Sequence, residues 1–281
     1  MREIIISKLH ELEKMENIRV LWAVESGSRA WGFASPDSDY DVRFIYVRRE
    51  NDYLKLGKRR DVIELPINDM LDINGWDLDK ALKLLYRSNP TLFEWLSSPI
   101  IYIDGGLRDM IAPVQEKYFS SKKALYHYLS MASGNYREYL KSDMVRAKKY
   151  FYVLRPILAC KWILEKHSNP PMLFTELVES VLDPALKGEI DKLLDIKMNS
   201  PEIKLIPRVD VINAYLEDSI TVIHQSLTRL PEEPTHNWEE LNAIFLGCLK
   251  SQIDMTEDEK IDFVAARILR EHKAAFEELA K

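Results

Sequence analysis

Apolar and polar positions change period along the chain, and the changes divide it in two. Ile5, Leu9, Leu12 and Met15 recur at helical spacing and predict an amphipathic helix over about residues 2–16. The continuous apolar run Val20-Leu21-Trp22-Ala23-Val24 reads as a strand near 18–25, and Val42 to Val47 belongs to another near 40–48. Further strands are expected near 61–67 and 70–75, where Ile63, Leu65 and Ile67 alternate toward a core and leave Glu64 on the opposite face. Helices follow near 78–87 and 90–97, and Ile100 to Ile103 reads as a short strand. Beyond about 105–120 the pattern is helical throughout, with segments near 121–142, 144–167, 173–181, 184–198 and 207–229 and a longer pair at the C-terminus. Asn237-Trp238-Glu239-Glu240 and Thr256-Glu257-Asp258-Glu259 resemble capped helix starts. Pro170-Pro171, Pro207 and Pro231 through Pro234 mark breaks, whereas Pro156 falls inside an apolar helical pattern and either kinks that helix or begins a new one. The expected fold is an α/β (α+β) domain over residues 1–115 followed by an α-helical domain over residues 116–281.

Composition narrows this picture. A chain of 281 residues suits two domains, and 46% hydrophobic residues with 10% aromatics allow a full core. No apolar run approaches the ~20 residues of a membrane helix, and the N-terminus turns polar too early for a signal peptide. Cys160 and Cys248 sit in separate apolar helical contexts without metal-ligand spacing, so they read as reduced core thiols of a cytoplasmic protein. The net charge of −6 argues against a wholly basic nucleic-acid coat but leaves room for a local basic groove. The histidines form no cluster, and no P-loop or zinc spacing is present in the sequence.

The candidate chemistry lies between residues 26 and 44. Side chains alternate along a strand, so Asp39, Asp41 and Arg43 share one face while Tyr40, Val42 and Phe44 share the other. Two neighbouring carboxylates resist joint ionisation unless a cation lies between them. Mg²⁺ takes such hard oxygen ligands, and a pair of ions (Mn²⁺ as an alternative) roughly 3.5–4 Å apart can clamp the attacking and leaving oxygens of a phosphoryl displacement. Upstream, Gly27 allows close approach of backbone to a ligand, and Ser28 offers a hydroxyl and a cap to a short helix whose N–H groups would attract a triphosphate. Arg29 faces either phosphate or solvent. A second cluster, Arg146, Lys148, Lys149, Tyr150, Tyr152 and Arg155, places Lys148, Tyr152 and Arg155 on one helical face. Such a stripe suits phosphate contact with base stacking, and equally a solvated helix edge.

Gly27-Ser28 followed by Asp39-x-Asp41 resembles the signature of the polymerase-β-like nucleotidyltransferase superfamily. The longer string from Gly27 to Tyr46 is similar to one branch, the YcgL-type predicted nucleotidyltransferases, also described as RNA-ligase-associated polymerase-β-like proteins. The likeness recurs in Leu71–Leu78, Tyr128–Ala132 and Lys148–Pro156, so it covers most of the chain to about residue 175. It implies a catalytic domain with a mixed sheet and a third carboxylate on a later strand, for which Asp72 is favoured and Glu64 competes. It implies transfer of a nucleoside monophosphate from a nucleoside triphosphate to an acceptor hydroxyl. Asp39, Asp41 and Asp72 would be the metal-binding and catalytic set. Gly27, Ser28, Arg29, Arg43, Lys148, Lys149, Tyr152 and Arg155 would be the nucleotide-binding set. RNA-end repair is the implied setting. A small-molecule or protein acceptor, and a non-catalytic nucleotide- or RNA-binding accessory subunit, are the alternatives.

Overall fold

The computed structural model describes residues 1–66, 70–201, 203–227, 230 and 236–250. The chain opens with α1 (Arg2–Glu16), which buries Ile5, Leu9 and Leu12 and ends at Asn17 in the left-handed conformation. Then follow β1 (Ile18–Glu25), the single turn α2 (Gly27–Ala30), β2 (Tyr40–Arg48), the turn α3 (Glu50–Tyr53), β3 (Val62–Glu64) and β4 (Leu71–Asp77). Next come α4 (Leu78–Tyr86), α5 (Pro90–Leu96), β5 (Ile101–Asp104) and α6 (Leu107–Gln115). The five strands form one sheet in the order β3-β4-β2-β1-β5. It is mixed, as expected: β2 and β4 run parallel, and the other neighbours are antiparallel.

Strand alternation decides what each sheet face carries. Val42, Phe44 and Tyr46 of β2 join Ile63, Leu71 and Ile73 under α1. Ile45 and Val47 point the other way, into a cluster with Leu78, Leu82 and Leu85 of α4, Phe93 of α5 and Ile111 of α6. Asp41 and Arg43 continue that second face toward the start of β2, beyond the apolar cluster. The acidic site therefore lies at one end of the sheet.

The remainder is largely helical: α7 (Ser121–Tyr139), α8 (Ala147–Lys166), α9 (Phe174–Val181), α10 (Lys187–Met198), α11 (Asp210–Leu227) and α12 (Glu239–Lys250). The segment expected as one helix over 144–167 begins instead with a short strand, β6 (Met144–Arg146), paired antiparallel with β7 (Leu205–Pro207). Pro156 neither breaks α8 nor starts it. Proline lacks the N–H that would bond to the carbonyl four residues back, and that carbonyl, Tyr152 O, accepts instead from Asn135 Nδ2 of α7 at 3.2 Å.

α7 through α11 share a core built on Tyr150, Phe151, Leu154, Ile157 and Leu158 of α8. α12 does not join it. Leu241, Ile244, Cys248 and Leu249 pack into the sheet cluster beside α4 and α6. Its start is capped as expected, with Asn237 Oδ1 accepting from the Glu239 N–H at 3.3 Å. The second expected start, at Thr256, lies outside the described residues, as do Ile67 and the break at Pro231–Pro234. Both cysteines are buried thiols outside any disulfide. Among the described residues no helix is long and apolar enough to cross a membrane.

Candidate active site

Parallel pairing of β2 with β4 sets Asp41 level with Asp72 on the adjacent strand, and Arg43 level with Asn74. Glu64, the competing third carboxylate, stands one strand further out, opposite Asn74. It is engaged there, accepting from Asn74 Nδ2 at 2.9 Å and from Arg60 at 3.4 Å. Of the two candidates, Asp72 is the one brought to Asp41.

Arg43 lies between the level pair. Its Nη2 donates to Asp41 Oδ1 at 3.1 Å and to Asp72 Oδ2 at 2.8 Å, and its Nη1 donates to Asp72 O at 3.1 Å. Two carboxylates pressed together need positive charge between them, and the guanidinium supplies it. Asp39 is exposed, on the loop before β2. The expected closing of three carboxylates on one point is not seen: among the described residues no group of three or more His, Cys, Asp or Glu side chains stands ready to hold a metal. The donor set nevertheless fits a hard divalent cation in kind. A single nitrogen already rests within about hydrogen-bond distance of both Asp41 and Asp72, so one positive centre can be shared by their oxygens.

The Gly-Ser turn lies against this pair. Gly27 has φ +61°, and a Cβ there would collide with the Asp41 carboxylate. Ser26 N–H donates to Asp41 O at 2.8 Å, which ties the turn to β2. Ser28 is partly buried within α2. Arg29, expected to face phosphate or solvent, is half-buried and engaged with its own loop. It stacks 3.7 Å from the Tyr40 ring centroid and donates to Ser38 O at 2.6 Å and Asp39 O at 3.0 Å. Its planar fork holds the loop that carries Asp39.

Glu25 was missed by sequence reasoning. It ends β1 fully buried, accepts from the Asp41 N–H at 2.7 Å and accepts from the Tyr102 hydroxyl. Burial raises its carboxyl above the usual 4.5, partly offset by those two hydrogen bonds. The available signal was a charged residue closing the apolar run from Val20 to Val24.

The basic stripe on α8 divides. Past α2 the chain enters the helical core: Phe33 packs against Phe151 and Phe174, with ring centroids 4.9 and 5.3 Å away. This brings Trp31 edge-on to Tyr152 at 6.2 Å. Lys149 sits over Tyr139 at 3.5 Å and over Tyr152 at 4.9 Å, and Lys148 is partly buried on the first turn of the helix. So α8 lies against the chain that follows α2. Arg155 departs from the expected open stripe. It is only 2% exposed, ion-paired with Glu94 at 2.6 Å and stacked over Trp31 at 4.7 Å. The reason is that α8 is buried on nearly all sides, so a face that reads as polar is closed by α5 and the chain after α2.

The model of the RNA repair pathway DNA polymerase beta family matches residues 1–247. The chain belongs to that family. A relative, the uncharacterized protein YcgL of Bacillus subtilis (strain 168), is 46% identical over 253 residues, covering 89% of this chain and 97% of its own. A solved nucleotidyltransferase-like protein from Exiguobacterium sibiricum 255-15 aligns over 93% of this chain and 83% of its own at 12% identity, with a TM-score of 0.26, too slight an overlap to argue from. Membership of the RNA repair pathway DNA polymerase beta family makes the protein polymerase-β-like and a nucleotidyltransferase at the general level.

Proposed function

We propose that the protein is an Mg²⁺-dependent nucleotidyltransferase that moves a nucleoside monophosphate from a nucleoside triphosphate to an acceptor hydroxyl, releasing pyrophosphate. The observation that carries this is the level placement of Asp41 and Asp72 on neighbouring parallel strands, with Gly27 folded onto Asp41. Asp41 and Asp72, joined by Asp39 from its loop, would hold Mg²⁺ or Mn²⁺. When bound, the metal would polarise the α-phosphate and ease deprotonation of the acceptor hydroxyl. Gly27 admits phosphate close to the backbone, and Ser28 offers its hydroxyl. Arg43 leaves the carboxylates for the phosphates once the carboxylates have another cation. Tyr152 offers a ring face for a base, and Lys148 and Lys149 neutralise phosphate charge. Arg29 and Arg155 act from behind, the first on the Asp39 loop and the second beneath Trp31. The family's place in RNA repair supports an RNA end as the acceptor.

One observation favours a second reading. Arg43 already neutralises the Asp41–Asp72 pair from within, as would suit a non-catalytic nucleotide- or RNA-binding accessory subunit. Labelled triphosphates offered with Mg²⁺ to tRNA, nicked RNA, small hydroxyl compounds and protein extract separate these readings. Label transfer with pyrophosphate release that Asp41→Asn abolishes supports the enzyme, and the labelled product identifies the acceptor class. Triphosphate or RNA binding without turnover under any condition supports the accessory subunit.

A further inference from the structure

A lysine of the helical half reaches the loop that presents Asp39. On α10, Ile190, Leu193 and Lys197 follow one another on the buried stripe, and Lys197 is 3% exposed. Its Nζ donates to Ser35 Oγ at 2.7 Å and lies 3.4 Å from Ser38 Oγ. An ammonium has donors only. Ser35 Oγ therefore accepts from Lys197, and it shares a further hydrogen bond of 2.8 Å with Ser38 Oγ, in which either hydroxyl can be the donor. Ser38 Oγ also accepts from the Ser35 N–H at 2.9 Å, and the Ser38 N–H donates to Ser35 O at 3.1 Å. These bonds close a small buried turn on the lysine. The residue after that turn is Asp39. On its other side Arg29 grips the carbonyls of Ser38 and Asp39.

Burying an ammonium is costly unless its donors are satisfied, so a lysine on an apolar stripe needs a reason. An apolar residue there would fill the same space without holding the two hydroxyls. We propose that Lys197 is a positioning residue: through the Ser35–Ser38 turn, the helical half of the molecule sets the place of Asp39 and with it the affinity of the acidic site for a divalent cation. This rests on the metal-site reading above. Groups that hydrogen-bond a metal ligand without touching the metal typically change metal affinity about 10–100-fold when removed; Lys197 acts on Asp39 at one remove, through the hydroxyls of Ser35 and Ser38, so the low end of that range applies.

The test uses the full chain and two readouts: amide hydrogen exchange over residues 34–40, and Mn²⁺ affinity by titration under electron paramagnetic resonance. Lys197→Met is expected to speed exchange across the turn and to weaken Mn²⁺ binding at least ~10-fold. Lys197→Arg should stay closer to the wild type. Ile190→Ala, on the same helix and equally buried, should lower the melting temperature without either effect. Wild-type exchange and affinity in Lys197→Met would overturn the proposal, and so would equal changes in Ile190→Ala. If Lys197→Met does not fold, Ser35→Ala decides by the same criteria. Asp41→Asn keeps the underlying reading separate. If it binds Mn²⁺ as the wild type does, the metal assignment is wrong, and the exchange measurement still determines whether Lys197 holds the turn.

Discussion

The Asp41 carboxylate occupies the space that a side chain on residue 27 would fill. The glycine is demanded twice, by this contact and by φ +61°. Left-handed backbone costs an ordinary residue roughly 1–2 kcal/mol. In Gly27→Ala the added methyl also meets Asp41, which must turn away from Asp72. The expected result is a modest loss of melting temperature with near-complete loss of turnover. Turnover close to wild type would show that Asp41 need not stand where the structure puts it.

Asp72 and Glu64 are distinguished by strand position. Asp72→Asn is expected to remove turnover while leaving most triphosphate affinity, because Asp41 and Asp39 remain. Glu64→Gln should cost little, since an amide oxygen can still accept from Asn74. Side-by-side kinetics check the ranking, and the reverse order would move the third carboxylate one strand outward.

Glu25 gives a pH dependence of stability. Its folded carboxyl holds a proton more tightly than the unfolded value of 4.5. Across the window from 4.5 up to the raised folded value, the native state binds more protons than the unfolded chain, so this group's contribution falls as pH rises. Glu25→Gln removes the titration and keeps an oxygen for the Asp41 N–H. The melting temperature of the wild type relative to Glu25→Gln should therefore decline through that window and level off above it. A difference that grows with pH would contradict the assigned burial.

Arg155 and Lys148 should separate in their effects. Breaking a buried ion pair leaves one charge stranded, at a cost of about 3–5 kcal/mol. Arg155→Ala should accordingly destabilise the fold through Glu94 and Trp31. Lys148→Ala should leave the melting temperature nearly unchanged and lower the salt dependence of nucleotide or RNA binding by roughly one phosphate charge. Thermal melts and binding isotherms at several salt concentrations distinguish the two.

Much of the fold was legible where one chemical period ran long enough. The alternation from Asp39 to Phe44 placed Asp41 and Arg43 on one face, and the apolar runs located β1, β2 and β4 to within two residues at each end. The short ribbon of β6 and β7 was not legible, because three residues carry too little period to separate a strand from a helix start. The face carrying Arg155 was visible, but not its partner Glu94, 61 positions away in sequence. Arg29, Glu25 and Lys197 share that difficulty. Each looks like an ordinary surface charge until the chain folds, and then holds a backbone or hydroxyl group beside an aspartate. Lys197 left one trace, as the single cation continuing the stripe of Ile190 and Leu193.

The return of α12 bears on how the molecule can be made. Before it, Tyr86 stacks on Trp238 at 3.8 Å and Tyr118 donates to Asn237 O at 3.1 Å; Lys117 pairs with Glu240 at 2.6 Å. During synthesis the place of α12 beside α4 and α6, on the sheet's second face, stays empty until Leu249 has left the ribosome, long after β5 is complete. The nascent N-terminal half must wait for α12, with the apolar flanks of α4 and α6 that it covers open meanwhile. A gene fragment ending near residue 115 would make that interval permanent, and its product should collect in aggregates or on chaperones.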